Sequence, residues 1–217
     1  LDRDDLTLSQ RQSLMKVLGR LKAESTWDKL SEICQDEEEN SFVRMYAAEA
    51  IGAMKKPESL PILIDLFFFF FPNFRVYVIK GISNYDSAEA KKVIIQGIKD
   101  AHWKVRQESI EAVERMNITE AVPYIIYRAK NDPENVIKEK AYQVLSKLNS
   151  SEANDYLIET VTSKKETDAA KSKACEALMK NTKAGQKEVA ELAVELAGDD
   201  KRKPFRYTVG KLIAKYP

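Results

Sequence analysis

Seven times along the chain a basic residue is followed, seven positions later, by an aliphatic one, with small residues between. The pairs are Arg11/Leu18, Arg44/Ile51, Arg75/Ile82, Arg106/Val113, Lys138/Leu145, Lys171/Leu178 and Arg206/Ile213. Successive basic residues stand 33, 31, 31, 32, 33 and 35 positions apart. Self-similarity at such a period marks a stacked array, whose repeating element cannot bury its apolar face alone. The expectation is one array over 1–217.

Numbering each basic residue as position zero exposes the element. Position minus one reads Gln10, Val43, Phe74, Val105, Ile137, Ala170 and Phe205, and position plus three Leu14, Ala47, Val78, Ser109, Ala141, Ala174 and Val209. With the aliphatic residue at plus seven, these form one apolar stripe of an amphipathic helix. Glycines and alanines such as Gly52, Gly81, Ala112 and Ala177 recur on the same helices and would let neighbours approach closely.

Between these helices lies a second set with helical apolar spacing, over 27–34, 59–67, 89–98, 120–129, 152–161 and 187–196. Lys56-Pro57, Asn131-Asp132-Pro133, Asn149-Ser150-Ser151 and Gly198-Asp199-Asp200 mark turns. Each repeat is therefore a helical hairpin whose second helix carries the basic residue. The array opens on a second-type helix over 9–21 with no first-type partner before it, and closes on another ending at Pro217. That is the expectation for an array cut from a longer protein.

The unit V-R-x-x-A-A-x-A-I-G, as it stands from Val43 to Gly52, resembles the HEAT repeat. The short period is similar to that of the HEAT-like repeats of phycobilisome lyases. The resemblance covers essentially the whole chain and implies an all-α, right-handed α-solenoid (an α-α superhelix) of six to seven hairpins. The signatures of tetratricopeptide and ankyrin repeats, which share the length, are missing.

Seven stacked cations could bind a polyanion. Six residues upstream, however, the series reads Asp5, Glu38, Phe69, Asp100, Asp132, Lys165 and Asp200, five of seven acidic. Turn carboxylates and helix-start cations, as the HEAT resemblance implies, pair within and between repeats. Arg44, Arg75, Arg106, Lys138, Asp100 and Asp132 are thus expected to form a structural ladder. With 35 basic and 34 acidic residues the net charge is +1, which argues against a general nucleic-acid or anionic-membrane binder.

The resemblance also implies that the second helices line the concave surface where a partner binds. On that face the plus-five row (Lys16, Glu49, Lys80, Glu111, Gln143, Glu176, Lys211) alternates in sign over four repeats, which favours cross-repeat pairing. The plus-nine row is basic in five of seven repeats, as suits helix C-termini. Positions plus one and plus two are Met45-Tyr46 and Val76-Tyr77 in adjacent repeats, an apolar patch on an otherwise polar face. Met45, Tyr46, Val76, Tyr77, Lys80 and Glu108 are the candidate partner-binding residues. The competing reading is that the tyrosines pack on neighbouring stems, and that Glu108 and Glu111 belong to a solvated face.

Phe67 to Phe71 break the pattern. Phe67 aligns with a buried helix position, whereas Phe69, Phe70 and Phe71 align with turn positions, Phe69 on an acidic rung. Arg75 is therefore expected to lack a partner. Three readings stay open: an exposed tip that meets a partner or membrane surface, a fold-back adding to the core, or a segment departing from the natural sequence.

Nothing points to catalysis. His102 is the only histidine, so no metal site is expected. The paired His-Glu motifs of iron-binding HEAT-repeat hydroxylases are missing, as are phosphate-binding glycine motifs and a nucleophile elbow. No cofactor is expected. Cys34 and Cys175 fall in distant repeats, and buried free thiols favour a reducing, cytoplasmic compartment, although localisation is otherwise open. The function expected is a protein-interaction scaffold or adaptor for a protein or peptide partner. The alternatives are a lyase-like or chaperone-like accessory subunit and a DNA-binding HEAT-like domain.

Overall fold

The computed structural model describes residues 6–69, 71–181 and 183–216; Asp5, Phe70 and Pro217 lie outside the described residues. These form two compact units, Leu1–Met116 and Asn117–Pro217. Among the described residues there are thirteen α-helices and no strand. None of the helices is long and apolar enough to cross a membrane.

In the first unit the second helices of the repeats are α1 (Leu8–Leu21), α3 (Ser41–Met54), α5 (Pro72–Ile82) and α7 (Trp103–Met116). The first helices are α2 (Trp27–Gln35), α4 (Ser59–Phe69) and α6 (Ala88–Gly97). Helices α2, α4 and α6 each pack on the second helix that follows, and α1, α3, α5 and α7 stack in succession. The second unit repeats the plan: α8 (Val122–Asn131), α10 (Ser151–Thr162) and α12 (Lys183–Glu195) pack on α9 (Asn135–Leu148), α11 (Asp168–Asn181) and α13 (Lys203–Lys215). This is an all-α solenoid of helical hairpins.

Local sequence explains the helix ends. The Thr7 hydroxyl accepts from the Gln10 amide while the Gln10 side chain accepts from the Thr7 amide, closing a capping box. Asn40, Ser87 and Ser150 cap α3, α6 and α10. Pro72 and Pro123 open α5 and α8, where no intrahelical amide donor is needed. Thr119–Ala121 is a 3-10 turn ahead of α8, so the α-helix expected from residue 120 starts two residues later. At plus eleven from the basic residue, Lys22, Lys55, Asn117 and Asn149 all adopt positive φ, between 48° and 59°. A left-handed residue thus terminates four second helices.

The apolar stripe is the core. Val43, Ala47 and Ile51 are fully buried, as are Phe74, Val78 and Ile82, and Ile137, Ala141 and Leu145. The small residues do what their spacing predicts. A Cβ on Gly52 would stand 2.3 Å from Gly81 Cα, and one on Gly19 would stand 2.8 Å from Ala50 Cα. Trp27 Nε1 donates to Ser59 Oγ at 2.7 Å and the Tyr85 hydroxyl to the Lys56 carbonyl at 3.0 Å, tying adjacent repeats through polar groups.

Several turn carboxylates and helix-start cations meet, some across repeats and some within them. Arg11 reaches forward to the carboxylate of Glu39, one residue past the predicted Glu38, which is exposed. Arg75 is paired rather than orphaned. Its Nε and Nη2 donate to Asp100 Oδ2 and Oδ1 at 2.8 and 2.9 Å, across to the turn of the next repeat. An aromatic residue on the rung before Arg75 removes nothing, because the acceptor comes from the repeat that follows. Arg106 donates to the carbonyls of Asp100 and Ala101, and Arg44 Nε to that of Cys34. Asp132 is buried beside Arg128 at 3.5 Å and accepts from the Glu134 amide, while Lys138 is half-buried. In the last repeat Arg206 and Asp200 pair within the repeat at 3.6 Å.

The phenylalanine segment extends α4 through Phe69, and Phe71 is the N-cap of α5. Phe67 is buried as its alignment predicts, while Phe68 and Phe71 are exposed. Continuous apolar sequence carries the helix into what is a turn in the neighbouring repeats.

Candidate functional site

Helix α3 shows why the second-helix face is narrow. It is packed by α1, α2 and α5, so nearly every side chain from Val43 to Met54 is buried. Beyond Ser41 at its start, only Phe42, Tyr46, Glu49 and Ala53 keep access to solvent, a single stripe at spacings of four, three and four. The matching stripe is Asn73, Tyr77 and Lys80 of α5, with Asn84 just past its end.

Two of the predicted residues, Tyr46 and Tyr77, meet on this face. Their rings contact edge to face, with centroids 4.9 Å apart and planes at 87°. The Tyr77 hydroxyl donates to the Tyr46 hydroxyl at 3.2 Å. Lys16 Nζ lies 4.3 Å from the Tyr46 centroid and Lys80 Nζ lies 4.9 Å from that of Tyr77. Each ring thus faces a cation that its quadrupole attracts. The two phenols are driven apart in acidity. The hydrogen bond from Tyr77, then Lys16, lowers the pKa of Tyr46, while burial and donation to Tyr46 raise that of Tyr77.

The pair sits in a cleft of about 270 Å³ whose lining includes Met15, Lys16, Arg20, Glu49, Ala53 and Lys80. The plus-five lysines therefore stand over tyrosine rings rather than within ion-pair distance of Glu49. Val76 and Lys80 are half-buried beside the pair. Met45 does not take part: it is only 2% exposed, because plus one turns into the side of α3 that its neighbours cover. Glu108, at plus two on α7, is neither a contact surface nor solvated. It is buried under Arg115, whose Nη2 donates to its Oε1 at 2.8 Å, and its pKa is raised because desolvation outweighs that partner.

Sequence reasoning missed Lys16, Arg20 and Glu49 as cleft residues. Lys16 and Glu49 belong to the plus-five row and Arg20 to the plus-nine row, yet only the packing shows them around the tyrosines. The corresponding cleft of the second unit, about 310 Å³, is lined by Tyr142, Ser146 and Lys147 among others. There Lys173 pairs with Glu139 and Lys180 with Glu176, each at 2.9 Å. Tyr142 lines this cleft but is buried and stacks on Tyr156, so it offers no half-exposed ring.

His102 stacks on Trp103 and its Nδ1 accepts from the Lys104 amide, a helix-start role. Among the described residues no group of three or more His, Cys, Asp or Glu could hold a metal ion.

A family model described as spirochaete HEAT repeat protein matches residues 1–217, and the chain belongs to that family. No curated protein matches the sequence. Among solved structures the chain is similar to the complex of CpcE and CpcF of phycocyanin lyase from Nostoc sp. PCC7120. That match has a TM-score of 0.55 at 16% identity and covers 100% of this chain and 92% of that one. An engineered protein gives 0.50 at 14% identity, covering 87% and 95%. Human deoxyhypusine hydroxylase in complex with glycerol gives 0.45 at 18%, covering 98% and 81%. At these identities the likeness is one of fold alone.

Proposed function

We propose that the chain is a protein-interaction scaffold that holds its partner on the second-helix face, anchored at the Tyr46–Tyr77 cleft. The observation that carries this reading is the half-exposed tyrosine pair itself. Unlike the singly exposed Phe42, Phe68 and Phe71, these two rings contact each other inside a cleft, each with a lysine against it. Aromatic side chains in partly desolvated pockets are the usual anchors of protein interfaces. Val76 and Lys80 form the margin of the contact.

A photoreactive amino acid in place of Ala53, which lines the cleft, tests the reading in native extract. Cross-linked adducts should form from position 53 and not from a control at the exposed Asp28, and should disappear when Tyr46 and Tyr77 are both changed to alanine. Adducts that survive the double substitution would refute the assignment of the face.

A further inference from the structure

The charges around the tyrosine pair are unbalanced in a way that selects a partner. Lys16, Arg20 and Lys80 line the cleft against one lining carboxylate, Glu49; Glu108, which also feels Lys80, is buried and paired with Arg115. Among the described residues no carboxylate lies within ion-pair distance of those three cations. In the second unit's cleft the lysines at plus two and plus nine, Lys173 and Lys180, are closed by Glu139 and Glu176. Those two lysines are thus matched by carboxylates, whereas Lys16, Arg20 and Lys80 are not.

The hydroxyl geometry points the same way. Because Tyr77 donates to Tyr46, the Tyr46 proton is directed to some other acceptor. The cleft volume of about 270 Å³ is below the ~300–1,000 Å³ of pockets that enclose drug-sized ligands. It has room for a side chain rather than for a cofactor.

We infer that the cleft receives an acidic protein segment, with one Asp or Glu side chain accepting from the Tyr46 hydroxyl between the flanking cations. An adjacent apolar side chain of that segment lies on the tyrosine rings, and a further carboxylate faces Lys80. The lowered pKa of Tyr46 makes its hydroxyl a stronger donor to such a carboxylate. Glu49 within the cleft disfavours a dense polyphosphate, which is why a peptide rather than a nucleic acid fits. The inference rests on the scaffold reading above and adds the chemistry of the partner.

The test pans phage-displayed random 12-residue peptides on the full chain at about 50 mM salt, where screening is weak. Recovered peptides should be enriched in Asp and Glu next to an apolar residue. Their affinity should fall about tenfold or more in Lys16→Gln/Lys80→Gln, as charge pairs at interfaces do, and a few-fold in Tyr46→Phe. Unchanged thermal unfolding would show that each variant folds. Neutral or basic peptides, or no enrichment, would overturn the inference. So would tighter binding of a fluorescein-labelled oligothymidylate, which would assign the cleft to nucleic acid. Peptides lost on Tyr46→Ala/Tyr77→Ala but carrying no excess carboxylate would remove the acidic partner and leave the interface. Peptides indifferent to every variant would remove both.

Discussion

The backbones of Gly52 and Gly81 are so close that one methyl group cannot be placed between them: a Cβ on Gly52 would meet Gly81 Cα at 2.3 Å and its carbonyl oxygen at 2.7 Å. In an exposed helix interior Gly→Ala stabilises by about 1 kcal/mol. Here the sign reverses, because α3 and α5 must be pushed apart. Gly52→Ala is expected to destabilise the first unit by about 3 kcal/mol, with overpacking outweighing propensity. Urea unfolding followed by tryptophan fluorescence reads the effect directly, since both tryptophans, Trp27 and Trp103, lie in that unit.

The ladder makes a discriminating pair of substitutions. Asp100 accepts both nitrogens of Arg75 and also the His102 amide, and its side chain is largely buried. Asp100→Ala is expected to cost about 2–3 kcal/mol, because it removes the acceptor of two guanidinium N–H groups and of a backbone donor. Glu38→Gln, on the rung assigned by counting six residues back, should lie within about 0.5 kcal/mol of the parent. Equal losses from the two variants would contradict the forward pairing.

Lys55 ends α3 with a positive φ of 59°. A lysine there carries the steric penalty that glycine escapes. Lys55→Gly is expected to stabilise the first unit by about 0.5–1 kcal/mol, seen as a raised melting temperature. A lowered one would mean that the lysine side chain, which lies away from the core, contributes more than its backbone costs.

Glu108 sets a pH dependence of known sign. Its carboxyl has an ordinary pKa of 4.5 when free and a raised one in the fold, mainly through desolvation. The folded state therefore takes up the proton first as pH falls. Parent stability measured relative to Glu108→Gln should rise as pH drops from neutral through the folded pKa, and level off below about 4.5. A difference that instead shrinks on acidification would show that the Arg115 contact dominates.

The two thiols report opening of each unit separately. Burial pushes Cys34 and Cys175 up to about 12, so at pH 8 only about one in 10,000 is thiolate. Ellman's reagent should react with either only when its unit opens. Labelling of Cys175→Ser should follow the stability of the first unit, and labelling of Cys34→Ser that of the second. Fast labelling in the absence of denaturant would place a thiol at the surface.

The fold was legible because one helix per repeat carries a ruler. Expected spans such as 9–21 and 27–34 differ from Leu8–Leu21 and Trp27–Gln35 by one residue. What escaped was set by neighbours rather than by periodicity. Met45 lies on the polar side of an isolated α3, yet that helix is enclosed on three sides. Glu108 is covered by a side chain seven residues along its own helix, a reach that no stripe count includes. The acceptor of Arg75 is 25 residues ahead, whereas a ruler anchored within one repeat looks backward. Tyr46 and Tyr77 were legible as departures from a polar face, but the lysines over them became visible only once adjacent helices were stacked.

Forward pairing of Arg11 with Glu39 and of Arg75 with Asp100 puts the covalent repeat and the energetic repeat out of phase. A gene duplication that copies one whole period hands each of these two donors a new acceptor wherever its breakpoints fall. A break that excises only a turn strips the preceding repeat of its clasp while leaving that repeat's own sequence intact. Within the first unit, damage from such an excision would therefore surface one hairpin upstream of the lesion.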